Sequence, residues 1–258
     1  MKKRKCRLAL VATTVATVFL FSMPLYASRT DDRIESSARK TFLFKTFLKE
    51  DDIRIQLNNG IATLTGTVVD ESHAFMAGDI VASLPGVAEV ENKLQENGET
   101  PAVNTDAWLT GKVKSLLFFH RSVNAAGTGI IARDGLVTLR GEAGSMVRKD
   151  LTTEYARDVA GVRSVRNEMT VSGPEPGLEH GTADTTDEAI DDVSITVLVE
   201  MTLLSHRSTS ALIPIVLTKE GVVRLRGNAR NAATKDLIEK YARDVHGVKR
   251  VINVMSFE

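Results

Sequence analysis

The sequence predicts an α+β fold built from three tandem small modules, each with the order helix, strand, strand, helix, strand. Three observations favour this architecture: a glycine pattern that occurs three times at constant spacing, apolar residues that alternate after its first glycine, and an apolar stripe of helical period after its second. Each module would be a three-stranded sheet covered by two helices. The expected boundaries are residues 29–97, 104–173 and 190–258.

Nine glycines define the repeat, three in each copy. Within every copy the second glycine follows the first by 6 residues, and the third follows the second by 20. The glycines are Gly60, Gly66 and Gly86, then Gly135, Gly141 and Gly161, then Gly221, Gly227 and Gly247. Chance does not keep these spacings three times, so we assign the nine residues to turns, close backbone contacts and helix ends.

Each module is expected to open with a helix, for which Asp32, Asp106 and Asp192 are the candidate N-caps. A hairpin follows, because Asn59, Asp134 and Glu220 each precede a glycine in a tight-turn dipeptide. Apolar residues then alternate along the second strand, which indicates a strand with one buried face. These alternating residues are Ala62 and Leu64, Val137 and Leu139, and Val223 and Leu225.

The second helix of each module has candidate N-caps at Ser72, Ser145 and Asn231. Its apolar residues recur at i, i+4 and i+8, which places them on one helical face. They are Met76, Ile80 and Leu84, Leu151, Tyr155 and Val159, and Leu237, Tyr241 and Val245. The third glycine of each copy is then positioned as a helix C-cap before a short β-branched strand.

The first 27 residues have the pattern of a secretory signal peptide. Five basic residues precede an apolar run from Leu8 to Phe21, and Ala27 is a plausible cleavage point. The run is shorter than the roughly 18–20 residues that a membrane-spanning helix needs. The sequence leaves open the alternative that the segment is not cleaved and remains as an anchor. Cleavage would leave 231 residues without cysteine, carrying 28 bases and 33 acids, in a periplasm-like compartment.

An acidic segment separates the second and third modules. Residues 174–189 contain five acidic residues, no basic residue, and several glycines and prolines. This composition predicts a solvated, flexible linker. Whether the modules pack together, and whether the chain forms oligomers, is left open by the sequence.

The combined pattern of glycines, valines and asparagines resembles the BON domain family (bacterial OsmY and nodulation). The pattern is Gly-x-Val-x-Leu-x-Gly, about 20 residues, then Gly-Val-x-x-Val-x-Asn, and it covers nearly all of the predicted mature chain. The first copy departs from it at Ala62 and Ala88. The resemblance implies an exported protein of envelope or osmotic stress, in a family of which some members bind anionic phospholipid surfaces, and it implies no catalytic activity.

Two further motifs recur and are interpreted as structural. His120-Arg121-Ser122 and His206-Arg207-Ser208 each end a first helix, and basic residues there satisfy helix C-terminal carbonyls. Adjacent residues rarely face each other as a nucleophile and base, so we expect no catalytic residues. Tyr-Ala-Arg-Asp occurs at 155–158 and at 241–244, where a core tyrosine and a solvated Arg–Asp pair are expected. The spacing of the histidines predicts no metal site, and nothing indicates a cofactor.

The second module is the candidate for membrane contact. It carries 10 bases and 7 acids, and the only tryptophan lies near the start of its first helix. Trp108 beside Lys112 and Lys114 suits the interface of a bilayer, and Phe118 and Phe119 end the same helix. The alternative, left open, is that Trp108 and the phenylalanines only cover the core.

The sequence therefore leaves three functional hypotheses. The first is an exported, non-enzymatic envelope or osmotic-stress protein whose modules bind an anionic phospholipid surface. The second is a periplasmic chaperone or scaffold that presents sheet edges or helix faces to envelope proteins. The third, a hydrolase, lacks a visible acid–base pair. Export, charge and few aromatic residues disfavour nucleic acid as a partner.

Overall fold

The structure is a computed structural model that describes residues 25–97, 105–172, 190–212 and 214–257, with side chains from residue 33 onward. The predicted signal peptide and the linker at 174–189 fall outside these residues, apart from 25–27. No helix within the described ranges is long and apolar enough to cross a bilayer.

Each module follows the predicted order of elements. Module 1 contains α1 (Leu25–Lys40), α2 (Phe42–Thr46), β1 (Asp52–Asn58), β2 (Ile61–Val68), α3 (Glu71–Ala82) and β3 (Glu89–Glu96). Module 2 contains α4 (Asp106–Phe119), β4 (Thr128–Arg133), β5 (Leu136–Ala143), α5 (Met146–Arg157), β6 (Ser164–Asn167) and β7 (Thr170–Val171). Module 3 contains α6 (Asp192–Ser205), β8 (Ile215–Lys219), β9 (Val222–Arg226), β10 (Asn228–Ala229), α7 (Ala232–Arg243), β11 (Arg250–Asn253) and β12 (Ser256–Phe257).

The α+β class and the three tandem modules are confirmed. In every module the hairpin pairs antiparallel and its second strand is central, pairing in parallel with the strand that follows the second helix. In module 1 the first helix is interrupted at Thr41, whose hydroxyl caps α2. In modules 2 and 3 the last strand is divided into two short pieces.

All nine repeat glycines have positive φ. The residues before the hairpin glycines, Asn59, Asp134 and Glu220, also have φ of 50–54°, as a tight hairpin turn requires. A Cβ on Gly66 would lie 1.8 Å from the carbonyl oxygen of Asp52, so at this position only glycine lets two strands approach.

Several predicted helix ends are corrected by the structure. The N-cap of α3 is Asp70 rather than Ser72, because the carboxylate of Asp70 accepts from the amide of His73. Asp32 lies inside α1, which continues through the predicted cleavage point at Ala27. The C-caps of the second helices are Ser83, Asp158 and Asp244, and the third repeat glycine lies three residues later in the turn that follows.

Asp106 and Asp192 are the first residues of their helices, where they bond to the hairpin turns instead of capping. The N-caps are Thr105 and Asp191, whose side chains accept from amides in the first turn. Asp106 accepts from the amide of Asp134 at 2.8 Å, and Asp192 accepts from that of Glu220 at 2.7 Å. Each aspartate thereby fixes the start of a helix against the hairpin of its own module.

The modules pack against one another around α6. This helix buries residues on all sides, which is typical of a helix in the middle of a core. It contacts α3 of module 1 and α4 of module 2 as well as its own β8 and α7. The amides of Phe42 and Leu43 donate to the side chains of Asp191 and Ser194, at 2.7 and 3.2 Å, which ties module 1 to module 3.

Candidate functional site

An open cleft of about 770 Å³ lies at one end of module 2. Its walls are the start of α4, the β4–β5 turn, the loop after α5, and one side chain from module 3. The residues that line it are Thr105, Asp106, Trp108, Leu109, Asp134, Gly135, Gly161, Val162, Arg163 and Arg207. The cleft therefore combines an indole ring with two arginines and two carboxylates.

Trp108 forms the apolar wall of the cleft and is half-buried. Its ring lies against Gly161, where an added Cβ would be 3.7 Å from Cζ3 of the indole. The ammonium of Lys112, one turn further along α4, lies 4.6 Å from the centre of the ring, in cation–π contact. Burial lowers the pKa of Lys112, and the nearby charge of Glu71 opposes this shift.

Two exposed arginines supply positive charge to the cleft. Arg163 comes from the loop after α5, and Arg207 comes from module 3. The backbone of Arg207 is fixed across the module boundary, because its amide donates to the carbonyl of Asp158 at 2.6 Å. The cleft is therefore complete only when modules 2 and 3 are packed together.

The corresponding place in module 3 is occupied by the chain itself. A Cβ on Gly247 would lie 2.9 Å from Ile195 and 3.1 Å from Ile190. Arg121, the counterpart of Arg207, donates to the carbonyl of Val248 at 2.9 Å. Module 2 therefore has an open cleft beside its tryptophan where module 3 has packed isoleucines.

The structure divides the five residues predicted for membrane contact. Trp108 and Lys112 lie together at the cleft, and Lys114 is exposed on the same helix. Phe119 is only 2% exposed, so its assignment to a membrane-facing surface is wrong. Phe118 is half-buried and packs edge to face on Phe47 of module 1, with ring centres 5.0 Å apart. Both phenylalanine side chains pack inward because the last turn of α4 faces the other modules.

A second polar cluster is buried between modules 2 and 3, and we call it the seam. It consists of matching residues from the two modules, related by approximate twofold symmetry: His120, Tyr155 and Asp158 from module 2, and His206, Tyr241 and Asp244 from module 3. The two histidines are fully buried, and the two aspartates are 8% and 9% exposed.

The seam histidines contact each other and the opposite aspartates. The Nε2 atoms of His120 and His206 are 3.0 Å apart. Nδ1 of His120 is hydrogen-bonded to Oδ2 of Asp244 at 3.2 Å. Nδ1 of His206 lies 3.2 Å from Oδ2 of Asp158, without hydrogen-bond alignment.

Hydroxyl groups complete the environment of each carboxylate. Tyr155 donates to Asp244 at 2.7 Å and Tyr241 donates to Asp158 at 2.8 Å, each across the module boundary. The hydroxyls of Ser122 and Ser208 donate to the remaining carboxylate oxygens of Asp244 and Asp158. Each tyrosine ring also stacks on the histidine of its own module, with ring centres 3.8 Å apart.

These contacts shift the ionisation of the seam residues. Burial raises the cost of ionising Asp158 and Asp244, but the adjacent histidine and the hydroxyls of serine and tyrosine outweigh it and lower the pKa of both carboxyls. Burial lowers the pKa of His120 to about 4 and also lowers that of His206. The pKa of each tyrosine is raised, first by burial and then by the aspartate it contacts.

The geometry of the seam differs from that of a nucleophile–base pair. Both serines donate to aspartate rather than to histidine, and both imidazoles are closed off from solvent. The sequence predicts a solvated Arg–Asp pair in each Tyr-Ala-Arg-Asp motif. The aspartates are instead buried in the seam, so this expectation is wrong. Across the described ranges, no group of three or more ionisable ligands is arranged to hold a metal ion.

A pair of carboxyl groups marks the boundary between modules 1 and 3. Glu200 on α6 interacts with Asp79 on α3, and Oδ2 of Asp79 is buried without a hydrogen-bond partner. Burial, followed by the hydrogen bond and charge of Asp79, raises the pKa of Glu200 to about 9. Glu200 is therefore much harder to ionise than an exposed glutamate.

Repeated α-β-β-α-β modules with glycine-marked turns define a class of small tandem-repeat proteins, and comparison with known families identifies it. The model of the BON domain matches residues 30–98, 105–173 and 191–258. The chain belongs to the BON domain family and contains three copies of the domain.

Curated relatives share the repeat at moderate identity. The chain is 27% identical to osmotically-inducible protein Y of Escherichia coli, over 65% of this chain and 86% of that protein. It is 31% identical to a 21 kDa hemolysin of Actinobacillus pleuropneumoniae, over 46% and 62% of the two lengths. It is 26% identical to the outer membrane lipoprotein DolP of Haemophilus influenzae, over 76% and 95%.

Among solved structures, the chain aligns with the C-terminal domain of CdsD, a structural protein of the type III secretion system of Chlamydia trachomatis. The identity is 13% and the TM-score 0.22, and the alignment covers 92% of this chain and 100% of that domain.

Proposed function

We propose that this chain is an exported, non-enzymatic envelope protein of the osmotic-stress response that binds an anionic phospholipid surface through the Trp108 cleft of module 2. The names of two relatives, osmotically-inducible protein Y and the outer membrane lipoprotein DolP, support the envelope and stress assignment. The basic head and apolar run of residues 1–27 support export.

The observation that carries the lipid proposal is the composition of the cleft. A half-buried indole with a lysine over its ring, next to two exposed arginines, offers both an apolar and a cationic contact to a headgroup region. Each basic residue near an anionic bilayer contributes about 1 kcal/mol. Lys112, Arg163 and Arg207 together would therefore add affinity that depends on lipid charge and falls with salt.

Vesicle co-sedimentation tests this proposal directly. The full chain should sediment with vesicles that contain phosphatidylglycerol and stay in solution with pure phosphatidylcholine. Trp108→Ala and Lys112→Glu should each weaken sedimentation at least about tenfold, which corresponds to 1.4 kcal/mol.

Two matched variants in module 1 serve as controls. Phe75→Ala removes an aromatic ring that is 40% exposed on α3, and Lys49→Glu reverses an exposed charge. Both should leave sedimentation unchanged. Binding that ignores lipid charge, or that falls equally in the controls, would contradict the proposal.

One observation favours the alternative of a protein-interaction scaffold. Strand β8 lies at the edge of its sheet, and Ile215 and Leu217 on it are 62% and 53% exposed. An exposed apolar edge strand is a template for pairing with another extended chain. A scaffold should suppress the aggregation of client proteins without vesicles, and Leu217→Lys should abolish this effect. These two results, together with an absence of lipid binding, would favour this function instead.

A further inference from the structure

When both seam histidines are neutral, they have too few N–H groups to donate to every acceptor that faces an imidazole nitrogen. A carboxylate only accepts hydrogen bonds, so Nδ1 of His120 must donate to Asp244. The contact between the two Nε2 atoms needs one hydrogen, and since Nε2 of neutral His120 is then bare, His206 supplies it. Nδ1 of neutral His206 consequently has no hydrogen to offer Asp158.

This tautomer assignment agrees with the geometry, which leaves one imidazole nitrogen of the seam unpaired. Nδ1 of His206 is buried, has no hydrogen-bond partner, and lies 3.2 Å from Oδ2 of Asp158. A single added proton would bind to Nδ1 of His206, beside the carboxylate of Asp158. A second could not be added without breaking the Nε2–Nε2 contact, because that contact requires one nitrogen without hydrogen.

The other charged groups near the two seam histidines do not change the limit of one added proton. Around His120 lie Asp244, His246 and Arg121, whose Nε is 3.9 Å from Oδ1 of Asp244. Around His206 lie Asp158 and the ion pair of Lys240 with Glu154, which spans the two modules at 2.6 Å. The two seam tyrosines, together with Ser122 and Ser208, donate to the carboxylates and stay neutral.

Separated modules behave differently because water surrounds each imidazole. Two solvated histidines bind two protons below their ordinary pKa of about 6.5. We propose that the seam is an acid-sensitive junction: closed, it holds at most one added proton, whereas open it takes up two, so acidification separates module 2 from module 3.

The direction of the pH effect follows from proton linkage. A histidine whose pKa is lowered in the closed state stabilises that state above about pH 6.5, and this stabilisation is lost as the pH falls toward the lowered value. Burial lowers the pKa of His120 to about 4, and the pKa of Asp158 and Asp244 is also lowered, so the carboxylates stay ionised in this window. The opening constant should rise about 10-fold to 100-fold from pH 5.5 to pH 4.5.

Opening would also change the proposed lipid site. Arg207 reaches the Trp108 cleft only from the packed module 3, and its amide is bonded to Asp158 of module 2. Separation of the two modules removes this arginine from the cleft. This consequence depends on the proposed function, whereas the acid-sensitive junction does not.

Native-state amide hydrogen exchange on the full chain tests the junction. The amides of Arg121 and Arg207 bond across it to the carbonyls of Asp244 and Asp158, at 2.9 and 2.6 Å. The amide of Lys249, bonded to Gly221 inside module 3 at 2.8 Å, is the internal reference. After correction for intrinsic exchange, protection of Arg121 and Arg207 should fall with acid while that of Lys249 is retained.

Variants identify the groups that take up the protons. His120→Gln with His206→Gln keeps polar side chains but removes both seam imidazoles, so seam protection should lose most of its pH dependence; His246, whose pKa is also lowered by burial, accounts for any remainder. His73→Gln removes a histidine whose Nδ1 is 2.6 Å from Asp51 in module 1, and it should leave the native response intact. Unchanged protection in the native chain, or an equal response in the double variant, would overturn the proposal.

The double variant could not test the proposal if its junction were already open at neutral pH. Imidazole nitrogen-15 spectra of the native chain then provide the test. The junction requires that two protonated imidazoles at His120 and His206 never coexist with protected Arg121 and Arg207 amides. Observation of both together would overturn it. Vesicle binding at neutral pH is a separate readout, so failure of the lipid proposal would leave this result unaffected.

Discussion

The hydroxyl of Tyr155 in module 2 donates a hydrogen bond of 2.7 Å to Oδ2 of Asp244 in module 3. Asp244 also accepts from His120 and Ser122, so one carboxylate collects three donors from the neighbouring module. A buried carboxylate with this many donors is stable as an anion, and its loss leaves several buried polar groups unpaired. The packing of modules 2 and 3 therefore depends on it.

We predict that Asp244→Ala lowers the free energy of unfolding by about 3–5 kcal/mol, as expected when one partner of a buried charged network is removed. Asp236→Ala, at an exposed position on α7, should stay within about 0.5 kcal/mol of the native value. Guanidinium denaturation followed by circular dichroism measures both. Equal effects of the two substitutions would show that the seam adds no stability.

We predict that Glu200→Gln stabilises the chain above neutral pH. The pKa of Glu200 is raised to about 9, so the stability of the native state is complete below pH 4.5 and is progressively lost as the pH rises toward 9. Glutamine keeps the neutral form throughout. Because the side chain is partly exposed, we expect a gain of about 1–2 kcal/mol at pH 8.

Denaturation of each variant and of the native chain at pH 4.5 and pH 8 measures this gain. The exposed Glu142→Gln on β5 is the control, and its difference in stability from the native chain should be the same at the two pH values. A Glu200→Gln variant whose stability follows the native pH curve would contradict an uncharged Glu200 at neutral pH.

Two glycine substitutions should act in opposite directions. Gly66→Ala places a Cβ 1.8 Å from the Asp52 carbonyl at a φ of +120°, so it should cost more than about 2 kcal/mol. Gly111→Ala adds a methyl group to α4 in open space and should gain about 0.5–1 kcal/mol. Thermal unfolding distinguishes them, and a neutral Gly66→Ala would refute the close approach of β1 and β2.

The edge-to-face pair of Phe47 and Phe118 should couple modules 1 and 2. In a double-mutant cycle with alanine at both positions, we predict a coupling energy of about 0.5–1.5 kcal/mol. A second cycle between Phe75 and Phe118 is the reference and should give a value near zero. A zero coupling in the first cycle would mean that this contact does not join the modules.

The repeat and its fold could be predicted from sequence because each rests on local rules. Period-two apolar residues such as Val137 and Leu139 form the central strand, and both are fully buried. The hairpin dipeptide Asp134-Gly135 adopts positive φ at both residues, as its composition indicates. These signals act within a few residues and need no knowledge of tertiary packing.

The contacts between modules could not be predicted because they pair residues that are far apart in sequence. His120 and Asp244 are separated by 124 positions, and each motif viewed alone is compatible with a helix end or an exposed ion pair. One signal was available: His-Arg-Ser and Tyr-Ala-Arg-Asp recur in modules 2 and 3 but not in module 1. Polar motifs shared by only two repeats indicate that those two repeats face each other.

Trp108 is the only tryptophan of the chain, so its fluorescence reports directly on the cleft. Membrane contact at the cleft should shift this fluorescence to the blue and protect it from a soluble quencher when vesicles containing phosphatidylglycerol are added, whereas phosphatidylcholine vesicles should have no effect. Emission and quenching that stay constant while the protein sediments with anionic vesicles would contradict a membrane contact at the cleft.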